Sequence, residues 1–126
     1  RVDSATYAAL SATLTAYLDG APEDLPLWRY ALADAATLRA RSQTVADASG
    51  GVVVDAFATV GAGSAPGAEI PGPVVRIEGG QGLYECLLQG EVPVLTRRDS
   101  GDLIIDLRAV DPEDDRTIID RLQACR

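Results

Sequence analysis

Few residue types in this chain could do chemistry, and the missing ones narrow the field first. Its 126 residues include no histidine and no methionine, and all 11 basic residues are arginine. Histidine is the commonest general base and Schiff-base chemistry needs lysine, so much of enzyme chemistry is closed to this chain acting alone. What remains is a glycine-rich stretch, two adjacent arginines, a group of acids and two cysteines.

The glycine-rich stretch is Val60-Gly61-Ala62-Gly63-Ser64-Ala65-Pro66-Gly67-Ala68-Glu69-Ile70-Pro71-Gly72-Pro73, with four glycines and three prolines between two β-branched runs. Ordering a backbone costs roughly 1–2 kcal/mol per residue, most of all for glycine. A loop this long therefore either packs or binds something, or serves as a surface linker. Gly61-Ala62-Gly63 opens like a dinucleotide turn, but the third glycine, Gly67, comes one place late and no helix start follows. A Walker-type phosphate loop needs the absent lysine. Both are excluded, while a backbone N–H cradle for an anion, or a lid, stays open.

The other groups have plainer readings. Asp111, Glu113, Asp114 and Asp115 stand at a predicted helix start, where acids are stabilised without any metal or acid–base role. Arg97-Arg98 sits in a predicted hairpin as a solvated pair, although a guanidinium fork suits an anion. Cys86 and Cys125 lack metal-ligand spacing and are expected to pack on helix faces as small apolar side chains. Nothing suggests a disulfide scaffold, so the expected location is cytoplasmic.

Asp3 or Ser4 can cap a helix to about Leu18, with Tyr7, Leu10, Leu14, Tyr17 and Leu18 as an apolar stripe expected to be buried. A short connector over 25–30 precedes a second helix over 34–48, capped by Asp34 and ended by Gly50-Gly51. Strands are expected at 52–59 and 74–78, the latter with Val75 and Ile77 inward, and a short helix around Leu83, Cys86 and Leu87. Hairpin arms at 92–97 and 103–108 flank Asp99-Ser100-Gly101-Asp102, and a final helix buries Ile118, Ile119 and Leu122. Without long crossovers the strands must pair largely antiparallel. The expected fold is α+β, a two-layer sandwich with a small, mostly antiparallel sheet and helices on one face.

Length allows one domain with a core, and no apolar run reaches a membrane span. The net charge of −8 disfavours this piece as a nucleic-acid footprint by itself. A start at Arg1 rather than Met points to a piece of a longer polypeptide.

Several stretches, taken in order, resemble the carboxy-terminal part of the bacterial selenocysteine synthase (L-seryl-tRNA(Sec) selenium transferase) family. Arg1-Val2-Asp3-Ser4-Ala5-Thr6-Tyr7-Ala8-Ala9-Leu10-Ser11-Ala12-Thr13-Leu14 is similar to R-V-D-K-x-T-x-A-A-L-x-A-T-L. Val60-Gly61-Ala62-Gly63-Ser64-Ala65-Pro66 is similar to V-G-G-G-S-x-P. Val92-Pro93-Val94-Leu95-Thr96-Arg97 and Leu103-Ile104-Ile105-Asp106-Leu107-Arg108 resemble P-V-I-G-R and L-x-L-D-L-R.

The resemblance implies the small domain of a fold-type I (aspartate-aminotransferase fold) enzyme: residues 1–126 as a single carboxy-terminal domain, with 1–50 a helical lead-in and 51–126 an α+β core. It implies pyridoxal phosphate on a lysine upstream of Arg1, and a reaction of seryl-tRNA(Sec) with selenophosphate giving selenocysteyl-tRNA(Sec). The isolated chain is then expected to be inactive and to bind no cofactor. By the same resemblance Arg1 binds the anionic selenium donor or holds an interdomain contact, Gly61, Gly63 and Ser64 line the site, and Arg97 is a further candidate. No catalytic residue and no metal ligand is expected in this chain, and the family implies a homodimer or larger homo-oligomer without membrane partners. Ser4, Ala62 and Thr96 depart from the family pattern. They leave open a related lyase acting on a small amino acid or amino-sugar acid, and a non-enzymatic α+β binding module is the remaining alternative.

Overall fold

The structure, a computed structural model, describes residues 1–60 and 67–126. Contacts divide it into two units, residues 1–33 and 34–126.

In the first unit, Asp3 caps helix α1 (Ser4–Leu18) by accepting from Thr6 N at 2.9 Å and Thr6 Oγ1 at 2.9 Å. The helix ends at Asp19 and Gly20, whose positive φ of 73° closes the turn. Helix α2 (Pro26–Ala31) follows, and its Trp28 donates Nε1–H to the Tyr17 hydroxyl at 2.6 Å. The expected burial of the α1 stripe does not occur. Tyr7 is 62% and Leu18 86% exposed, and α1 has no buried residue. Two helices within residues 1–33 supply too few side chains to cover such a face.

The second unit holds the core. Asp34 caps α3 (Ala35–Ser49) through Thr37 N at 2.7 Å and Thr37 Oγ1 at 2.8 Å, and Gly50 ends it in the left-handed region at φ 62°. Then come β1 (Val52–Thr59), β2 (Glu69–Ile77), α4 (Gly80–Leu88), β3 (Arg97–Asp99), β4 (Asp102–Ile105) and α5 (Asp115–Ala124). The fold is α+β, as the sequence predicts: five helices among the described residues and an open antiparallel sheet in the order β1-β2-β4-β3.

Register explains the core. Val53, Val75 and Ile105 stand side by side across three strands, with Ile77 opposite Leu103. Leu38, Val45 and Ala46 bury one side of α3, which packs on β1 and β2 and also against α5. Ile118, Ile119 and Leu122 are buried on α5 as expected. At Ser100-Gly101, φ values of 53° and 96° are those of a two-residue hairpin turn that matches strand twist.

Three boundaries differ from expectation. Strand β2 starts at Glu69, so Pro71, Gly72 and Pro73 are in the strand, opposite Phe57, Ala56 and Asp55. Strand β4 pairs with β2 only at Val75, Arg76 and Ile77, which leaves an unpaired edge where a proline without N–H is tolerated. The first hairpin arm begins at Arg97 rather than 92: Pro93 has no donor and Val94 N–H is already bonded to Leu87 O at 2.9 Å. The second arm stops at Ile105 because Asp106 caps a 3-10 turn, accepting from Arg108 N at 3.0 Å.

The cysteines also depart from expectation. Cys86 on α4 and Cys125 at the end of α5 form a disulfide, with Cα atoms 5.8 Å apart. Their sequence separation of 39 makes the closed loop worth roughly 4 kcal/mol in the chain-entropy picture. Helix packing brings the two together, and spacing along the chain carries no trace of it.

Two outcomes follow. Leu122→Ala should destabilise the chain by roughly 2–5 kcal/mol in urea unfolding, against under about 0.5 kcal/mol for Leu18→Ala. The Asp34 carboxyl is held below its ordinary range by the Thr37 backbone N–H and then by its hydroxyl. Its capping contribution is therefore present above the unfolded-state value and lost as the pH falls through the lower folded one. The Tm difference between wild type and Asp34→Ala should accordingly shrink on acidification, whereas the difference between Asp34→Asn, which caps without titrating, and Asp34→Ala should stay flat with pH.

Candidate functional site

Because Thr59 pairs with Glu69 at the end of the β1–β2 ladder, the glycine-rich stretch is the connection of a hairpin. Gly61, Gly63 and Ser64, expected to line the site, lie outside the described residues. The stem of this connection can be followed. Ala58 and Thr59 form one wall of a cleft of about 310 Å³, whose other walls include Arg97, Ile105, Asp106 and Ile118. A second cleft of about 240 Å³ adjoins it through Val94, Leu95, Val110 and Ile118.

Arg97 reaches this cleft because strand period sends adjacent side chains to opposite faces. It stands opposite Ile104 on β4 and donates Nη1–H to the Phe57 carbonyl at 3.1 Å. Arg98 takes the other face, with its guanidinium 5.2 Å from the Tyr84 ring centre. The two arginines are thus not an undifferentiated solvated pair. The bond to Phe57 is to a neutral carbonyl, so it positions the Arg97 charge without cancelling it, and a guanidinium has five N–H donors.

The opposite wall depends on a bond the sequence reading missed. Arg41 on α3 grips Asp115 at the start of α5 with Nε at 2.8 Å and Nη2 at 2.7 Å, and the same Nη2 donates to Val110 O at 2.8 Å. Both side chains are largely covered, at 15% and 18% exposure. The hydrogen bond to Asp115 raises the Arg41 pKa above its ordinary value, against the opposing effect of burial. Asp115 is therefore more than one of several acids at a helix start.

Arg108 was also missed. Its side chain is buried and passes over Gly72 to donate Nη2–H to Pro71 O at 2.9 Å. A Cβ on Gly72 would lie 2.0 Å from that nitrogen, so a side chain there would push the Arg108 guanidinium aside. The only sequence signal was the position of Arg108 beside Asp106.

Arg1 is exposed in the first unit, and Arg97 lies in the second. Among the described residues no group of three or more His, Cys, Asp or Glu side chains could hold a metal ion. Nor is any described helix long and apolar enough to cross a membrane. The chemistry available at the cleft is electrostatic: one guanidinium and one carboxylate among apolar walls.

Comparison with known proteins adds two findings. Residues 1–111 match the family model for L-seryl-tRNA selenium transferase. The chain is also similar to L-seryl-tRNA(Sec) selenium transferase of Aquifex aeolicus (strain VF5), 30% identical over 133 aligned residues. That alignment takes in 98% of this chain and 29% of the relative.

The Arg41 anchor is open to test by stability. Asp115→Asn or Arg41→Met should cost roughly 2–3 kcal/mol in denaturant unfolding, below the 3–5 kcal/mol typical of a fully buried pair because some solvent reaches both groups. The double variant should cost less than the sum of the two single changes.

Proposed function

The chain belongs to the L-seryl-tRNA selenium transferase family, and from that premise we propose that it is the carboxy-terminal domain of an enzyme converting seryl-tRNA(Sec) to selenocysteyl-tRNA(Sec) with selenophosphate. The observation that carries this reading is the family match over residues 1–111, which takes in the Arg1-Val2-Asp3 opening, the glycine-rich connection and the hairpin bearing Arg97. The chain spans 29% of the length of the Aquifex relative, so the full reaction belongs to a longer protein.

Pyridoxal phosphate does not fit the residues of this chain alone. Its covalent attachment needs a lysine, and all 11 basic residues here are arginine. In our reading the lysine and the cofactor belong to the remainder of the full-length protein, and no step through the cofactor is assigned to this domain. The domain contributes binding and shape. Arg1 offers a bidentate fork to an oxyanion such as selenophosphate. Arg97 supplies a positioned, exposed cation at the cleft lined by Ala58 and Thr59, where it can meet an anion beside apolar side chains. The net charge of −8 fits a division of labour in which tRNA is held by other parts of the protein. The same reading includes a homo-oligomeric, cytoplasmic enzyme.

The test is an assay of the full-length protein with seryl-tRNA(Sec) and selenophosphate. Formation of selenocysteyl-tRNA supports the reading, while turnover of a free amino acid but not the charged tRNA overturns it. Arg1→Ala should raise KM for selenophosphate roughly 10- to 100-fold, the size of a lost charged hydrogen bond, with a smaller effect on kcat. Arg97→Ala should weaken the same parameter, and Arg97→Lys should restore it only partly.

A further inference from the structure

The sulfur chemistry of this chain lies apart from the cleft and takes no part in the function proposed above. Cys86 and Cys125 are both half-buried, so their disulfide is not sealed in the core. Arg121, one helical turn before Cys125, binds both halves of the bridge. Its Nη2 donates to the Cys86 carbonyl at 2.8 Å and lies 3.9 Å from Cys125 Sγ. The guanidinium is packed flat on Gly90, where a Cβ would come within 2.1 Å of Cζ. Any side chain there would displace it.

A cation beside a sulfur favours the thiolate, and the better-stabilised thiolate leaves faster in disulfide exchange. The carboxyl end of α5 works against a negative sulfur at Cys125, and Arg121 is the group placed to offset it. We propose that Cys86–Cys125 is a reversible redox tether, opened by a dithiol reductant, with Arg121 as the positioning residue that directs the exchange. A thiolate of the reductant attacks Cys86 Sγ, the S–S bond breaks, and Cys125 leaves as the thiolate against Arg121. The second thiol of the reductant then attacks the mixed disulfide and releases Cys86. The reductant is oxidised to its disulfide, the pair gains two electrons, and the two thiol protons of the reductant end on Cys86 and Cys125.

The tether bears on the cleft through two connections. Leu87, next to Cys86, accepts the Val94 N–H bond that holds the 92–96 segment, and α5 carries Ile118. Val94 and Ile118 both line the cleft beside Arg97. Opening the bridge frees α4 from the end of α5 and loosens that wall. This inference does not depend on which substrate the family reading assigns.

The experiment exposes the 126-residue chain to dithiothreitol without denaturant, traps free thiols with N-ethylmaleimide and counts adducts by mass. Two adducts should form and Tm should fall by about 10–20 °C, and in a reduced sample that has not been alkylated, oxidised glutathione, itself reduced to two thiols, should re-form the bridge and restore Tm. Arg121→Gln should slow reduction about fivefold, and Arg121→Lys should recover most of that rate. Deuterium uptake at the Val94 amide should accelerate on reduction. Reduction only after unfolding in urea overturns the proposal, as does an Arg121→Gln rate equal to wild type or unchanged uptake at Val94. Should Arg121→Gln fail to fold, the wild-type rate against salt decides instead: a fall with rising salt supports guidance by the guanidinium, and a flat profile overturns it.

Discussion

The placing of α5 in the second unit depends on the bidentate grip of Arg41 on Asp115. Helix α3 is fixed to the sheet by its own buried stripe, but α5 has no strand partner to set its position and packs chiefly on α3. Apolar packing alone is non-directional and leaves a helix free to slide by part of a turn. A guanidinium fork has one favourable geometry with a carboxylate, and here the same nitrogen also satisfies the Val110 carbonyl. The start of α5 is therefore located in rotation and in height, and the cleft wall at Val110 and Ile118 is located with it.

The far end of α5 is held by different means. There the disulfide and Arg121 join it to α4, and α4 in turn fixes the 92–96 segment through Leu87 O. One helix pinned at both ends thus carries one side of the cleft. The two pins differ in chemistry: an ion pair responds to its partner's charge, while a disulfide responds to reductant.

What could be read from the sequence was whatever local chemistry dictates. Asp3 and Asp34 cap helices, Gly50 ends one, and Ser100-Gly101 turns a hairpin, all within a few residues of chain. The α5 stripe was legible because its apolar residues and its burial agree. The α1 stripe is exposed, and its helix is scarcely amphipathic because alanines surround the stripe, whereas α5 has a sharply defined apolar face. The site was less legible for another reason. Arg41 and Asp115 are 74 positions apart and Cys86 and Cys125 39 apart, so only the tertiary fold makes them neighbours. Arg97 was marked both by the arginine pair in the predicted hairpin and by family likeness, and its separation from Arg98 follows from β3 taking in both residues.

The arginines can be sorted by what their charge meets, and the sorting bears on the site. Arg41 and Arg76 face carboxylates, Asp115 and Asp102, and are neutralised within the fold. Arg108 is buried against Pro71 O and closed off beneath Gly72's missing side chain, where its role is to satisfy backbone. Arg97 also bonds a neutral carbonyl, but it is exposed and borders a cleft. An exchanging anion needs a cation that is positioned and not yet paired, because displacing a carboxylate would cost much of the new bond. Among the described residues Arg97 has no ion-pair partner, whereas Arg41 and Arg76 are paired and Arg108 is buried, and this is what separates Arg97 from them in the function proposed above.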